Sequence, residues 1–467
     1  MKASRPTSTV SVLIVGAGPA GLTAAITLAR YGVESLVVDL KEELSTIPRA
    51  SLVSTGSMEL FRSWGLEAEL TEAAIDVRFT GFIGEILASR QAEFPVGVPS
   101  GDQAAVVSPN VPLCVTQDVL EPILLRHLER LGVGRVELGT ELVSFEQRDG
   151  AVRAVLRDRQ GERIVEANHL IGADGVRSRV REKLEIAQSG PGEVRDAATS
   201  LIHAPLDVGS GARHVIYAIT HPHAPHGVFV TVSSGDRWVY GFTSEPGTIA
   251  PADLTPEAME RRIRLSVGRP VRALRIEQIG RFSYSAMLAD RFREGRVFLA
   301  GDAAHRVTPR GGTGMNTAIR DGRDLGWKLA WALHGWAGDE LLNSYERERR
   351  PVAEHNMERS VDPNGSVRSV AEELHVDLGP RIPHVWVEPG RSTLDLLGAG
   401  FTLLRGPDAD WRPPALQAPL TEHSLDAMSA RAIGLGVRGA LLARPDGVAA
   451  EVAVDSPAEA AYEISST

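Results

Sequence analysis

The sequence predicts an α/β protein in which a Rossmann-like domain carries an inserted antiparallel β-sheet domain and is followed by a C-terminal domain. Three observations predict this: a strand, glycine turn, helix and strand at the N-terminus, two later strand-to-turn-to-helix segments, and short β-rich runs between them. A length of 467 residues suits two or three domains rather than one.

The first element is a β-α-β unit near the N-terminus. The apolar run "VSVLIV" leads into "GAGPAG", the helical pattern "LTAAITLARYG" and a second apolar run, "SLVVD". We expect Gly16 to make the tight turn and Gly21 to let the helix pack on the strand. Gly18 and Ala20 should lie against a pyrophosphate at the helix N-terminus. Asp39 ends the second strand, where an acid accepts hydrogen bonds from an adenosine ribose, so the unit predicts a dinucleotide site without distinguishing FAD from NAD.

A second segment, "GDAAHRVTPRGGTGMNTAIRDG", begins at Gly301 and follows the strand-like run "RVFLA". We expect Asp302 to accept from a ribose hydroxyl or to hold the turn beside the pyrophosphate, and His305 to be structural. After Pro309, the run "RGGTG" precedes a long helical pattern. Because a helix start presents unpaired N–H groups and partial positive charge, it suits an anionic edge of a bound cofactor.

The third segment is "HLIGADGVRSRVR", in which Asp174 and Gly175 close a turn before a helix. Through "GAGPAG", "GADGVRS" and "GDAAH", in that order, the sequence resembles the class A flavoprotein monooxygenases, the aromatic hydroxylases related to p-hydroxybenzoate hydroxylase. "GGTGMNTAIRDGRDLGWKLAWAL" and "LLNSYERERRPVAEHN" are similar to polyketide antibiotic and phenol hydroxylases. The resemblance covers nearly the whole chain and implies that Asp174 belongs to the cofactor site.

The resemblance implies non-covalently bound FAD and further contacts to it. Arg49 in "IPRA" and Gln117 in "CVTQDVLEPIL" are implied to touch the cofactor. The backbone after the proline is implied to meet the isoalloxazine ring, at Gly312, Gly314, Met315 and Asn316. The reduced flavin carries negative charge at its N1–C2 carbonyl edge, which matches the predicted helix start.

Two positions depart from the family. Asp39 is followed by Leu40, where the family usually has Glu then Arg, so an Arg contact to the adenine is missing. Arg310 stands after Pro309, where a small or apolar residue is common, and both residues are placed in the predicted catalytic region. The Arg310 charge could face an anionic phenolate or a substrate carbonyl, could meet the phosphates of NAD(P)H, or could be a solvated surface arginine.

The predicted FAD-binding domain comprises residues 1–75, 112–184 and 286–375. Residues 76–111 and 185–285 are predicted to form a substrate-binding β-sheet domain, because "HVIYAIT", "GVFVTVSS" and "RWVYGFT" are typical of short antiparallel strands. Residues 376–467 resemble the thioredoxin-like C-terminal domain of the phenol hydroxylase branch. This part contains no cysteine, so thioredoxin chemistry is excluded and we expect a packing or oligomer role.

The implied reaction is hydroxylation of an aromatic phenol, expected to be polycyclic and polyketide-derived. NADPH or NADH reduces FAD, O2 forms a C4a-hydroperoxide, and the phenol takes up the terminal hydroxyl. The candidate substrate bases are His203, His214, Tyr217, His221, His223, His226 and Tyr240. A Baeyer-Villiger or other oxidative rearrangement, or a non-catalytic flavin-binding protein, remain alternatives. A flavin-dependent halogenase is disfavoured because the motif WxWxIP is absent.

Composition narrows the remaining classes. A formal net charge of -10 makes a nucleic-acid partner an unfavourable hypothesis. Cys114 is the only cysteine, so no intramolecular disulfide can form, and a cytoplasmic location is expected. Glycines and Pro19 interrupt the N-terminal apolar run, so neither a membrane partner nor export is expected. "THPHAPHG" is expected to be an exposed loop rather than a metal site, no metal is expected, and the protein should be a monomer or homodimer.

Overall fold

A computed structural model describes residues 7–89, 92–148, 150–209, 212–222, 226–362, 364 and 369–453. The chain begins with β1 (Ser8–Val15), α1 (Pro19–Arg30) and β2 (Ser35–Asp39), the predicted β-α-β unit. There follow β3 (Leu52–Val53), α2 (Thr55–Ser63), α3 (Glu67–Ala73), β4 (Val77–Gly84), β5 (Ala92–Pro95), α4 (Gly101–Ala105), β6 (Leu113–Cys114), α5 (Gln117–Leu131), β7 (Arg135–Leu138), β8 (Glu141–Arg148), β9 (Ala151–Asp158), β10 (Gly161–Gly172) and α6 (Arg179–Lys183).

The middle and C-terminal elements complete the molecule. The middle of the chain contains β11 (Gln188–His203), β12 (Arg213–Ile219), β13 (Gly227–Thr231), β14 (Arg237–Ser244), α7 (Pro256–Val267), β15 (Arg275–Ala289), β16 (Arg293–Glu294), β17 (Val297–Leu299), β18 (His305–Arg306), α8 (Gly314–Leu333) and α9 (Asp339–Val361). The last part contains α10 (Val370–Leu378), β19 (Trp386–Glu388), β20 (Arg391–Ser392), β21 (Phe401–Arg405), β22 (Leu420–Ser424), α11 (Ala427–Ala432), β23 (Ala440–Ala443) and β24 (Ala449–Ala453). Short 3-10 turns lie at Pro251–Leu254, Gly301–Ala303 and Thr393–Leu396.

The first large sheet has the strand order β16-β17-β10-β1-β2-β7, and the β8-β9 hairpin adds to it through β10. Strands β17, β10, β1, β2 and β7 run parallel. Their carboxyl ends therefore meet at one edge, which is where ligands bind in open α/β sheets. Helix α8 packs closely on α1, since a Cβ placed at Gly322 would lie 2.3 Å from the Ala20 carbonyl oxygen.

The second large sheet has the order β18-β15-β11-β14-β13-β12-β4-β5. It is antiparallel, as predicted, except that β4 pairs parallel with β12. Helix α7 covers one face, where Phe82, Tyr217, Phe229, Trp238 and Tyr240 are buried with apolar side chains of the helix. We call this the back face and the opposite one the front face. The predicted fold class is confirmed.

The C-terminal part forms a four-stranded sheet, β22-β21-β23-β24, and joins the rest through a cluster of charges. Three acids, Asp324, Glu348 and Asp446, converge, and two cations of the chain pair with them. The fully buried Lys328 ammonium lies 2.7 Å from Asp324 and 2.9 Å from Glu348. Arg444 donates two hydrogen bonds of 2.8 Å to Glu348.

Among the described residues, no helix combines the length and apolarity needed to cross a bilayer.

Candidate cofactor and substrate site

The glycine turn after β1 has two crowded glycines and one open one. Gly16 has a φ of 113°, and a Cβ there would lie 2.1 Å from the Ala173 carbonyl oxygen. A Cβ at Gly21 would lie 1.9 Å from the Gly16 carbonyl oxygen. At Gly18, the residue that caps α1, a Cβ would have no atom within 4 Å. Packing therefore requires Gly16 and Gly21, whereas Gly18 borders free space at a helix N-terminus, a shape that fits a pyrophosphate.

Asp39 ties the end of β2 to this turn. One carboxylate oxygen accepts from the Ala17 N–H at 2.8 Å and the other from the Lys41 N–H at 2.9 Å. Each oxygen keeps a further lone pair, so the carboxylate can still accept from a ribose hydroxyl. The neighbouring Leu40, which stands where the family usually has an Arg, is exposed and offers no charge to a ligand.

The Gly301–Ala303 turn meets the start of α1. A Cβ at Gly301 would lie 3.3 Å from the Cβ of Ala20, so the "GAGPAG" and "GDAAH" motifs are neighbours in space. The Asp302 side chain is exposed on one side, but protein surrounds it on its other sides. This desolvation raises the pKa of Asp302, and the charges of His305, Arg306 and Arg49 act against the rise. Asp302 is thus placed to meet a hydroxyl-bearing part of a ligand.

A buried ionic network lies directly behind that turn. Asp321 accepts from the Gly301 N–H at 3.1 Å, and His305 Nε2 lies 2.6 Å from the same carboxylate oxygen. Arg349 Nε donates to the other oxygen at 2.9 Å. Burial alone would raise the pKa of Asp321, but His305 and Arg349 outweigh it and lower the pKa. His305 is fully buried and holds the turn, which agrees with the structural role expected for it.

The start of α8 is held by one buried amide. The Asn316 Oδ1 accepts from the Ser54 N–H at 2.9 Å, and its Nδ2 donates to the carbonyls of Leu52 at 3.0 Å and Gly312 at 3.2 Å. The helix has no side-chain cap, so the first-turn N–H groups, beginning at Gly314, have no intrahelical partner. They offer donors and partial positive charge to an anion. The Met315 side chain is part of the main core.

Gln117 and Arg49 are brought together near Asp302. The Gln117 N–H donates to the Ala50 carbonyl at 2.8 Å, and its side-chain amide donates to Glu121 at 2.7 Å. Burial raises the pKa of Glu121, opposed by the Gln117 hydrogen bond and the charges of Lys41 and Arg49. The charge of the exposed Arg49 guanidinium therefore reaches both Glu121 and Asp302.

Asp174 is engaged at the start of α6. Its carboxylate accepts from the Ser178 hydroxyl at 2.5 Å and from the Val180 N–H at 3.1 Å. Ser178 in turn caps the helix by accepting from the Arg181 N–H. The carboxylate thus shapes the turn beside Gly16, and both of its oxygens already accept hydrogen bonds.

The front face of the second sheet is apolar and half-buried. Side chains alternate along a strand, so the neighbours of the back-face aromatics point to the front: Ile216, Ala218, Val228, Val230 and Val239. On β15 the same side carries Phe282, Tyr284, Ala286 and Leu288. Ala286 and Leu288 belong to the main core of the first sheet's domain. The front face therefore looks toward that domain and forms one side of the groove.

A side chain at Gly81 would clash with an aromatic ring that lies over this position. A Cβ at Gly81 would lie 2.1 Å from Cζ of Phe94 on β5. Since Phe82 points to the back face, Gly81 and the Phe94 ring are on the front. The Phe94 ring therefore covers the front face at this edge of the sheet.

Pro309 and Arg310 lie on the exposed turn after β18. The Arg310 N–H donates to the Thr308 hydroxyl at 3.4 Å. Burial raises the pKa of Tyr284, and the charge of Arg310 opposes that rise, so the guanidinium acts across the edge of the front face. Tyr284 was missed by the sequence analysis, although the period-two pattern of "FSYSAML" marks it as sharing a face with Phe282.

The predicted substrate bases are scattered. Tyr217 and Tyr240 are buried on the back face, away from the groove. His203 pairs with Glu277 at 2.7 Å, and His214 Nδ1 lies 2.8 Å from the Thr80 hydroxyl. His221 and His226 flank the predicted surface loop, with His226 exposed, whereas His223 lies outside the described residues.

The parallel sheet, its glycine turn and the uncapped α8 start together define a dinucleotide-binding protein with an added antiparallel sheet. Residues 9–360 match the family model described as "FAD binding domain", and residues 375–465 match "Aromatic-ring hydroxylase, C-terminal". The chain belongs to this family of FAD-dependent aromatic-ring monooxygenases. Both the recognised family and the predicted enzyme class are confirmed.

Several known proteins are similar over nearly the whole chain. A tetracenomycin A2 monooxygenase-dioxygenase from Streptomyces glaucescens is 33% identical, with 98% of this chain and 96% of that protein covered. The flavin-dependent monooxygenase PieE, solved with FAD and substrate, has a TM-score of 0.87 at 28% identity, covering 97% of both chains. An aklavinone-11 hydroxylase, solved with FAD and aklavinone, has a TM-score of 0.85 at 32% identity, covering 97% of this chain and 96% of that one.

Proposed function

We propose that this enzyme hydroxylates a phenolic ring of a polycyclic aromatic polyketide, using NADPH or NADH and O2. The observation that carries the proposal is the apolar front face of the second sheet, which looks toward the FAD-binding domain. Such a surface suits a flat, fused-ring substrate. The tetracenomycin and aklavinone enzymes named above support this substrate class.

Bound FAD would accept a hydride from the nicotinamide and use O2 to deliver one oxygen atom to the ring. The chain's own groups bind, orient and exclude water. The free N–H groups at the start of α8 stabilise negative charge on their ligand. Asn316 holds that helix start against β3, and the front face shields the reacting edge from water. Gly18, Asp39 and Asp302 are assigned to the phosphates and riboses.

Arg310 is assigned to the substrate side of the groove. Its effect on Tyr284, which lies on the front face, favours this role over one with the nicotinamide phosphates. Arg310→Met keeps much of the side-chain length and removes the charge. It should bind FAD normally, lose affinity for the aromatic substrate and retain affinity for NAD(P)H. The reverse pattern would assign Arg310 to the nicotinamide instead, and unchanged constants for both would leave it a surface residue.

The function is tested with purified FAD-loaded protein, aklavinone and a panel of hydroxyanthraquinones. NADPH oxidation in air should rise when a substrate is added, and the product should gain one oxygen atom as a new phenol by mass and NMR spectra. A ring-expanded ester or lactone would identify a Baeyer-Villiger oxidation. FAD binding without any substrate-dependent oxidation would identify a non-catalytic flavoprotein.

We further propose a cytoplasmic enzyme that acts as a monomer or homodimer without nucleic-acid or membrane partners. Its single cysteine, Cys114, cannot form an intramolecular disulfide, which suits a reducing compartment. Light scattering of the purified protein checks the oligomeric state, and cell fractionation checks the location.

A further inference from the structure

Tyr284 occupies a distinctive place on the second sheet. Side chains along β15 point alternately to the back and front faces. The Ser283 hydroxyl donates to Asp196 at 3.3 Å on the back face. Ala286, two residues beyond Tyr284, enters the main core on the front face. Tyr284 therefore lies on the front face, between the exposed Phe282 and the buried Ala286. It is the point where the apolar surface passes into the core of the FAD-binding domain.

The Tyr284 hydroxyl lacks a partner in the described part of the chain. Its ring is half-buried and stacks on Phe282, with ring centroids 5.5 Å apart and planes 28° apart, so the ring orientation is fixed by packing. Within the described residues, no protein group forms a hydrogen bond with this hydroxyl. The cross-strand neighbour Arg195 pairs with Glu245, so the Tyr284 hydroxyl is left to bond water or a ligand.

The pairing of β15 with β18 directs the following chain, which carries Arg310, toward Tyr284. Met287 is opposite Arg306 and Leu288 is opposite His305, so the chain beyond β18 runs back along β15 toward Tyr284. The phenol also keeps its proton at neutral pH. Burial raises the pKa of Tyr284 above its ordinary value, and Arg310 offsets only part of the rise. A neutral hydroxyl donor and a permanent cation whose charge reaches it thus share this end of β15.

We propose that Tyr284 is a substrate-binding residue that hydrogen-bonds a ring hydroxyl or its phenolate on the aromatic substrate, with Arg310 as its charged neighbour. The inference rests on the proposed function and deepens it, since it assigns the substrate a phenolic edge that points to Tyr284. The apolar front face would hold the ring system by contact area, whereas this pair would set which edge enters.

The test compares Tyr284→Phe with wild type in the FAD-loaded protein, using 1,8-dihydroxyanthraquinone and 1,8-dimethoxyanthraquinone as probes. Dissociation constants come from quenching of protein or flavin fluorescence. Wild type should prefer the dihydroxy probe. Tyr284→Phe should weaken its binding about five- to tenfold, as expected for loss of one hydrogen bond, and leave the dimethoxy probe within about twofold. FAD affinity and NADPH affinity should not change.

The matched control is Tyr240→Phe, which removes the same hydroxyl from the back face, where it lies 3.0 Å from the Ser266 hydroxyl. That variant should lose thermal stability and keep the wild-type preference for the dihydroxy probe. Equal preference in wild type and Tyr284→Phe, while wild type hydroxylates aklavinone, would overturn the assignment of Tyr284 alone. Absence of binding and of aromatic hydroxylation in wild type would overturn the proposed function itself.

Discussion

Replacing Asn316 by alanine should destabilise the protein and release FAD together. Asn316 is 5% exposed and makes three hydrogen bonds, to Ser54, Leu52 and Gly312. A net contribution of about 1 kcal/mol for each bond gives a loss of about 3 kcal/mol in the free energy of unfolding. Since the typical total is about 5–15 kcal/mol, that loss is large. The detached β3 segment should also weaken FAD binding by at least about tenfold.

The assay is urea unfolding of the FAD-free protein, together with a fluorescence titration of FAD. FAD-free protein is needed because bound ligand adds its own stabilisation. Asn356→Ala is the matched control: Asn356 is similarly buried, at 6% exposed, but its amide donates to the Thr317 hydroxyl, and within the described residues it forms no hydrogen bond with β3. It should lose about 1 kcal/mol and bind FAD normally. Equal losses in the two variants, or unchanged FAD affinity in Asn316→Ala, would refute the reasoning.

Three further variants test other parts of the structure. Gly18→Asp should fold as wild type, because a Cβ there meets no atom within 4 Å. It should nevertheless fail to retain FAD, so the purified variant should lack the flavin absorbance band at about 450 nm. A yellow variant would contradict the pyrophosphate placement. Gly81→Ala should displace the Phe94 ring, which lies 2.1 Å from the new Cβ, and change substrate affinity without changing FAD affinity; identical substrate constants would exclude Phe94 from the groove. Burial would raise the pKa of Glu348, but Arg444 and Lys328 outweigh it and lower the pKa from 4.5 to about 2. Its stabilisation is therefore full above pH 4.5 and lost as the pH falls toward about 2; the melting-temperature gap between wild type and Glu348→Gln should narrow on acidification, and a constant gap would contradict the pairing.

The cofactor side could be predicted from sequence because its signals are local. The turn of Gly16, Gly18 and Gly21 needs only a strand before it and a helix after it, and both are visible in the period of apolar residues. The helix start after Pro309 is likewise marked by its own glycines. The family resemblance then supplied the order of the three motifs and the presence of FAD.

The substrate side depended on long-range packing that no local pattern shows. Tyr217 and Tyr240 were candidates for contact with substrate, but α7 covers their side of the sheet and buries them. Tertiary contacts decide which face of the sheet α7 covers. If α7 covered the opposite face, Tyr217 and Tyr240 would lie on the open face and Tyr284 would be buried. The partners of Asp321 were hidden for the same reason, because His305 and Arg349 are 16 and 28 residues away in sequence.

The β15-β18 pairing has a consequence for recombining this enzyme with its relatives. Residues His305 and Arg306 form the outermost strand of the second sheet, yet the turn just before them supports the groove beside Asp302. A chimera that imports β11 to β15 to acquire a new substrate would leave a foreign strand facing the native β18. A crossover beyond Arg310, inside α8, lets the transplanted sheet bring its own edge strand and the cofactor-side turn, but it also places a foreign β17 against the native β10.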